Sequence, residues 1–162
     1  MSGVENATAS ASIDIAAPPE LVYDLVSDVT GLPDWAVETD RCTWVGGATG
    51  AAVGAKFRGH NRNRGRAWST TCKVTAADPG RHFAFQVYAG GIPSAQWEYL
   101  IEPTDAGCRV TESTRRQVPK AIATVANRLL GIERGDRDAH NQRNIETTLA
   151  QLKARAESMP RQ

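Results

Sequence analysis

Apolar positions first alternate and then recur at helical spacing along the opening of the chain. Residues 8–16 alternate between apolar and polar side chains, which is typical of a half-buried strand. Pro18 and Pro19 end that strand and favour the start of a helix, since proline is tolerated in the first helical turn. Residues 21–29 then carry an apolar face over two helical turns. A second short helix is predicted around Trp35.

From Arg41 to Arg116 the pattern changes to strands and turns. Six further strands are predicted there, separated by residues 46–54, Asn63-Arg64-Gly65, Asp78-Pro79-Gly80, Gly90-Gly91 and Thr104-Asp105-Ala106-Gly107. Glycine supplies positive φ and proline a fixed φ in such turns. Because most of these connections are short, we expect an antiparallel meander.

Two more helices are predicted after the strands. Residues 119–131 carry an apolar face, and a longer amphipathic helix runs from Arg137 to about Ser158 with Asp136 as its N-cap. The apolar stripe of the longer helix consists of Ile145, Thr148, Leu149, Leu152 and Ala156. Such a helix cannot bury its stripe alone, so we expect the strands to curve around it. One antiparallel sheet with helices gathered on one side is the α+β class.

Four stretches of the chain resemble the helix-grip or START-like (SRPBCC) superfamily, in its polyketide cyclase/dehydrase-like branch. They are Ile13–Trp35, Val53–Trp68, Trp97–Ser113 and Arg143–Glu157. The resemblance implies a helix-grip fold, with a curved antiparallel sheet of about seven strands wrapped around a long C-terminal helix and two short helices after the first strand. It also implies a START-like ligand-binding domain with a deep, mostly apolar cavity between sheet and helix. It supplies no universal catalytic motif.

Composition narrows the class of protein. The chain has 162 residues, 41% hydrophobic residues and a formal net charge of +1, which predicts one domain at residues 8–159 after a disordered segment at residues 1–7. These values give no whole-chain argument for a nucleic-acid partner, and no apolar run is long enough for stable membrane insertion. The first ten residues lack the features of a signal peptide, so we expect a cytoplasmic protein.

Cysteine and histidine usage argues against metals and cofactors. Cys42, Cys72 and Cys108 lie far apart in strand-like stretches, so buried reduced thiols are expected. Three scattered histidines have no acidic or cysteine companion at ligand spacing. Nucleotide-binding, metalloprotease and hydrolase motifs are absent from the sequence as well. We therefore expect no metal and no cofactor.

Strand alternation identifies candidate residues for the cavity. The ligand-binding candidates are Trp35, Phe57, Asn61, Trp68, Thr70, Cys72, Phe83, Phe85, Trp97, Tyr99, Val110 and Glu112. Each aromatic ring among them could instead pack in the core. Glu112 and Tyr99 are the candidate catalytic residues, since a carboxyl group in an apolar groove needs a partner or becomes neutral. The alternative for Glu112 is an ion pair with a basic side chain of the last helix, or a place near the rim.

Three functions are compatible with this pattern. The first is binding or transport of a small hydrophobic ligand, which could be lipid-like, polyketide-like or aromatic. The second is a polyketide cyclase/dehydrase-type enzyme in which Glu112 or Tyr99 moves a proton. The third is a protein-interaction module without a ligand. The basic hairpin Arg58, Arg62, Arg64 and Arg66 is either a solvated tip or a contact for an anionic partner, and the chain is expected to be a monomer or homodimer.

Overall fold

The computed structural model describes residues 6–37, 39–63, 65–130 and 137–160. The strands are β1 (Ala9–Ile15), β2 (Thr39–Val45), β3 (Lys56–Asn63), β4 (Arg66–Asp78), β5 (His82–Ala89), β6 (Ile92–Thr104) and β7 (Gly107–Arg116). The helices are α1 (Pro19–Ser27), a 3-10 helix at Val29–Asp34, α2 (Lys120–Leu130) and α3 (Arg137–Ser158). The predicted α+β helix-grip fold is confirmed. Residues 1–5, for which disorder is expected, lie outside the described residues. Residues 131–136, which include the expected N-cap Asp136, lie outside them as well.

The strands form a single antiparallel sheet in the order β1-β7-β6-β5-β4-β3-β2. β2 to β7 form the expected meander, whereas β1 lies beside β7 at the opposite edge from β2. The segment of α1 and the 3-10 helix therefore connects the two edges of the sheet. Register shifts in β4 and β5 interrupt the ladder, between Val74 and Ala76 and between Val87 and Tyr88. Such bulges increase the local bend and twist of a sheet.

The stripe of α3 packs into the core, as its spacing predicts. Ile145, Leu149, Leu152 and Ala156 are all buried, and Leu152 is fully so. They belong to one apolar cluster with β1, α1 and the inward side chains of the sheet. Full burial of one leucine or isoleucine side chain contributes about 1.5–3 kcal/mol. The core of the domain therefore lies between α3 and the concave face of the sheet.

The outer flank of α3 also binds the exposed edge of β1. The Gln142 side-chain amide donates to the Ser10 carbonyl oxygen at 2.8 Å, and the Ser10 amide donates to Gln142 Oε1 at 3.0 Å. Further along, Lys153 Nζ donates to the Asp14 carbonyl oxygen at 2.8 Å. An edge strand with unpaired backbone groups is prone to pair with another chain. These side chains occupy part of that edge instead.

The second short helix begins earlier than the sequence predicts. It is a 3-10 helix at Val29–Asp34, whereas Trp35 follows it as a buried cap residue. Asp28 stabilises its start, because Asp28 Oδ1 accepts hydrogen bonds from the amide and hydroxyl groups of Thr30. The prediction of a helix around Trp35 missed this capping residue.

The apolar face of α2 is exposed in the structure. Ile122, Val125 and Leu129 have exposed fractions of 58%, 58% and 83%. The sequence predicts an apolar-faced helix here, and the helix is present at the predicted place. No helix in the described part of the chain is both long and apolar enough to cross a membrane.

Candidate ligand-binding cavity

A cavity of about 180 Å3 lies between the concave face of the sheet, α3 and the segment that follows the 3-10 helix. Its lining is contributed by the middle strands and by the first half of α3. The lining residues are Leu32, Ala36, Val37, Thr39, Cys42, Phe57, Gly59, Asn61, Trp68, Thr70, Cys72, Phe85, Val87, Trp97, Tyr99, Glu112, Asn141, Asn144, Ile145 and Thr148. Most of the wall is therefore apolar, with a few amide, hydroxyl and carboxyl groups.

Gly59 contributes to the space inside the cavity. It lies between Cys42 and Thr70 in neighbouring strands, on the inward face of β3. A Cβ atom at Gly59 would find Thr70 Oγ1 at 3.5 Å and Cys42 Sγ at 3.9 Å, which are ordinary van der Waals contacts. A side chain could therefore be accommodated at this position, and its absence leaves room in front of the sheet.

Nine of the predicted ligand-binding residues line this cavity: Phe57, Asn61, Trp68, Thr70, Cys72, Phe85, Trp97, Tyr99 and Glu112. The cavity does not include Trp35, Phe83 and Val110, which are buried in the core. Trp35 packs edge-on against Tyr99, with ring centroids 6.4 Å apart, so it supports the wall from behind. Phe83 packs in the same manner against Tyr23 at 6.5 Å. For Trp35 and Phe83 the core-packing alternative describes the structure, and Val110, for which only a place in the cavity was predicted, is a core residue as well.

The cavity was expected beside α3, but none of the predicted ligand-binding residues lies on this helix. Asn141 and Asn144 precede Thr148 by seven and four residues, so they share one side of α3 and line the cavity together with Ile145 and Thr148 of the predicted stripe. The Thr148 hydroxyl also accepts a hydrogen bond from the Val37 amide at 3.4 Å. The available signal was this run of polar residues at helical spacing next to buried ones.

Glu112 and Tyr99 form a buried hydrogen-bonded pair at the cavity wall. They lie directly opposite each other on β7 and β6, and their exposed fractions are 3% and 4%. The Tyr99 hydroxyl donates to Glu112 Oε1 at 2.9 Å. Glu112 Oε2 is buried and has no hydrogen-bond partner among the described residues. The alternative of an ion pair with α3 is not what the described structure contains, and Glu112 does not lie at the rim.

Burial controls the ionisation of this pair. It raises the pKa of Glu112 to about 8, because the charged carboxylate loses its hydration. The hydrogen bond from Tyr99 acts in the opposite direction and is the smaller effect. Burial, with the nearby Glu112, also raises the pKa of Tyr99 well above its usual value. At neutral pH Glu112 is therefore mostly a neutral acid that can either donate or accept a hydrogen bond.

Burial disfavours the thiolate form of Cys42 and Cys72, the two cysteine side chains of the cavity wall. Cys42, Cys72 and Cys108 are free and buried, as expected. Desolvation raises the pKa of Cys42 to about 11 and that of Cys72 to about 12. Thiols with such values are poor nucleophiles at neutral pH. Among the described residues no group of three or more His, Cys, Asp or Glu side chains is placed to hold a metal ion.

The described arginines of the basic hairpin do not line the cavity, although Gly59 and Asn61 of the same hairpin do. Arg58 and Arg66 are exposed, and Arg62 Nε lies 3.1 Å from Asp40 Oδ2 in an exposed ion pair. Arg64 lies outside the described residues. Exposed ion pairs of this kind contribute little to stability.

The fold and the cavity together define a helix-grip protein with a cavity between its sheet and its C-terminal helix. The chain belongs to the family described as polyketide cyclase / dehydrase and lipid transport, whose model matches residues 6–157. No curated protein matches the chain.

Solved structures of similar fold span the length of the domain. The Polyketide_cyc-like protein Cgl2372 from Corynebacterium glutamicum is 31% identical, with a TM-score of 0.57 over 90% of this chain and 88% of that one. The di-domain ARO/CYC protein StfQ from the steffimycin biosynthetic pathway is 15% identical, with a TM-score of 0.69 over 91% of this chain and 49% of that one. The Aha1 dimer from Colwellia psychrerythraea is 20% identical, with a TM-score of 0.62 over 93% and 96%. The last two similarities concern the fold alone.

Proposed function

We propose that this protein binds a small, mostly apolar ligand in the cavity between the sheet and α3, as a carrier or sensor. The observation that carries the proposal is an internal space of about 180 Å3 whose wall is largely apolar but includes a buried carboxyl group. Ligand sites commonly combine an apolar wall with a few polar groups that fix orientation. Transfer of the ligand from water to this wall drives binding, and the pair of Glu112 and Tyr99 orients it.

The volume limits the size of the ligand. Pockets for drug-sized molecules measure roughly 300–1,000 Å3, whereas an apolar cavity of about 150 Å3 binds benzene. A cavity of about 180 Å3 therefore has room for one substituted aromatic ring. Among the ligand classes that the sequence leaves open, a single-ring aromatic compound fits this conformation better than a long acyl chain.

A cavity-filling variant tests the proposal. Gly59→Leu places a branched side chain into the space in front of Thr70, whereas Gly59→Ala adds a single methyl group with ordinary contacts. Titrations with small aromatic compounds, followed by amide chemical shifts, should show saturable binding to the wild type and to Gly59→Ala. Binding to Gly59→Leu should be lost while its thermal unfolding remains cooperative. If the wild type binds none of these compounds, or if the leucine variant binds them equally well, the cavity is not the binding site.

The second candidate function is catalysis of the cyclase/dehydrase type in the same cavity. The observation in its favour is that burial raises the pKa of Glu112 to about 8, close to the range in which general acids and bases work at neutral pH. Tyr99 donates to Glu112 Oε1, and Oε2 of this cavity-lining residue is buried without a partner among the described residues. Glu112→Gln should abolish turnover of a reactive polyketide-like substrate but leave binding of unreactive analogues intact. If turnover survives this substitution, the catalytic proposal is wrong and only the carrier proposal remains.

A further inference from the structure

The two oxygens of the Glu112 carboxyl group have different surroundings. Oε1 accepts the hydrogen bond of Tyr99 at 2.9 Å. Oε2 is equally buried but has no partner among the described residues, although Glu112 lines the cavity. A buried polar atom without a partner costs about 1–3 kcal/mol, so native proteins leave few of them. An atom of this kind beside a cavity is a site at which a ligand can supply the missing partner.

Among the described residues, the cavity wall contains no basic side chain that would hold Glu112 as a carboxylate. Its titratable side chains are Cys42, Cys72, Tyr99 and Glu112, and none of the described wall residues is Lys, Arg or His. On α3 the His140 ring contacts the wall residue Asn144, with Nε2 3.0 Å from Asn144 Nδ2. Burial accordingly raises the pKa of Glu112 and keeps it protonated at neutral pH. With the Tyr99 hydroxyl donating to Oε1, the acid proton of neutral Glu112 is assigned to Oε2.

Resting on the proposed function, we propose that Glu112 Oε2 is a hydrogen-bond donor to the ligand, and that the cavity selects an uncharged single-ring aromatic compound bearing a carbonyl oxygen. A hydrocarbon of the same shape leaves the carboxyl hydrogen without an acceptor. A carboxylate ligand would be buried without a cation on the wall, which is costly. An amine ligand would instead require Glu112 to ionise. A single hydrogen-bond donor beside a cavity of this size therefore favours an uncharged aromatic compound with a carbonyl group, such as a ketone.

Acetophenone and 2-phenylpropene form a matched pair for the test, because they differ in a carbonyl oxygen against a methylene group. Their transfer from water differs for reasons unrelated to Glu112, so the measured quantity is the ratio of their dissociation constants in each variant. The ratio is compared among the wild type, Glu112→Leu and Glu112→Gln at pH 6.5. Glutamine keeps an N–H donor where the carboxyl O–H stands, whereas leucine has none.

Relative to the wild type, Glu112→Leu should shift the ratio toward 2-phenylpropene by about tenfold or more, the effect of a hydrogen bond to a buried group. Glu112→Gln should change it less than about threefold. Raising the pH from 6.5 to 9.5 should move the wild-type ratio in the direction of the leucine variant, because an ionised Glu112 cannot donate. The ratio of the glutamine variant should stay constant, which keeps the test decisive if the leucine variant does not fold.

The outcomes separate the two proposals. If both compounds bind but the ratio is the same in all variants and at both pH values, the donor role of Glu112 is wrong and the cavity proposal stands. Tighter binding of 1-phenylethylamine or benzoate than of acetophenone overturns the donor role as well. If none of the compounds binds, the proposed function itself is wrong, and this inference falls with it.

Discussion

Replacement of Glu112 by glutamine should remove a pH-dependent loss of stability from this protein. Burial raises the pKa of Glu112 from 4.5 to about 8 in the folded state. The unfolded chain releases this proton near the ordinary value, whereas the folded chain retains it. Between the two pKa values the folded state binds more protons than the unfolded state, so the free energy of unfolding declines as the pH rises. The full contribution of the neutral carboxyl group is present below pH 4.5 and is lost by about pH 8.

The size of this effect follows from the two pKa values. Each pH unit between them lowers the free energy of unfolding by about 1.4 kcal/mol. From pH 4.5 to pH 8 the total is therefore about 4–5 kcal/mol for a carboxyl group that is 3% exposed. The Glu112→Gln side chain has almost the same shape and no charge to desolvate. In a chain of this length 1 kcal/mol corresponds to about 2–4 °C, so the variant should melt on the order of 10 °C higher at pH 8.

Urea unfolding monitored by circular dichroism measures the difference directly. The wild type and Glu112→Gln are compared at half-unit steps between pH 5 and pH 9, so that all other titrating groups cancel in the difference. Glu102→Gln, at an exposed position of β6, is the matched control and should follow the wild type. Parallel curves for the wild type and Glu112→Gln, within about 0.5 kcal/mol at every pH, would refute the reasoning. They would mean that Glu112 is ionised or hydrated in the folded state.

Three further predictions concern the frame of the domain. Gly107→Ala should destabilise by about 3 kcal/mol or more in urea unfolding, because φ is +153° and the new Cβ would overlap backbone atoms of Ile15 and Ala17 at the end of β1. Gly90→Ala is the control, since it has space and costs only about 1–2 kcal/mol from its positive φ. Gln142→Ala should lower the free energy of unfolding by about 1–2 kcal/mol, and because it exposes the edge of β1 it should increase self-association measured by light scattering. Gln151→Ala, on the exposed side of α3, is the control. Cys72 should react with a thiol reagent in native protein at a rate set by unfolding, and a fast reaction without denaturant would contradict its burial.

Strand alternation was sufficient to predict which face of the sheet bears the cavity. A period of two assigns each residue to one face, and the turn glycines fix where each strand ends. This is why Trp68, Thr70 and Cys72 lie on the predicted face, and why Tyr99 meets Glu112 across neighbouring strands. The bulges in β4 and β5 left the inward assignments of the wall residues intact.

Alternation predicts which face of the sheet a residue lies on, but not whether an inward-facing residue lines the cavity or lies in the core. Phe83 and Phe85 share the inward face of β5, yet Phe85 lines the cavity and Phe83 is fully buried beneath it. Val110 and Glu112 differ in the same way on β7. Which of the two positions reaches the cavity depends on where α1 and α3 cross the sheet. That crossing is set by tertiary packing, which a local pattern does not contain.

The contacts of α3 were beyond sequence reasoning for a related reason. A polar residue at helical spacing can face solvent, a cavity or an edge strand, and the residue type is the same in each case. Asn144 lines the cavity, whereas Gln142, two positions earlier, binds the backbone of β1. The stripe of α3 could be predicted because the burial of an apolar side chain is favourable whatever it packs against. The contact of Gln142 could not, because its partner Ser10 lies 132 residues away in the chain.

Two residues of the cavity wall are poor choices for stability alone. Gly59 leaves space that a side chain could fill with ordinary contacts, and filling a cavity commonly adds about 0.5–2 kcal/mol. Glu112 costs the folded state several kcal/mol near pH 8, which an apolar side chain of similar size would not. Both departures from optimal packing occur at the wall of one cavity, on strands that are not neighbours in the sheet. Local rules of packing are most often broken at functional sites, where the gain lies in binding or chemistry. Their coincidence in this cavity therefore supports a ligand site more strongly than either residue does alone.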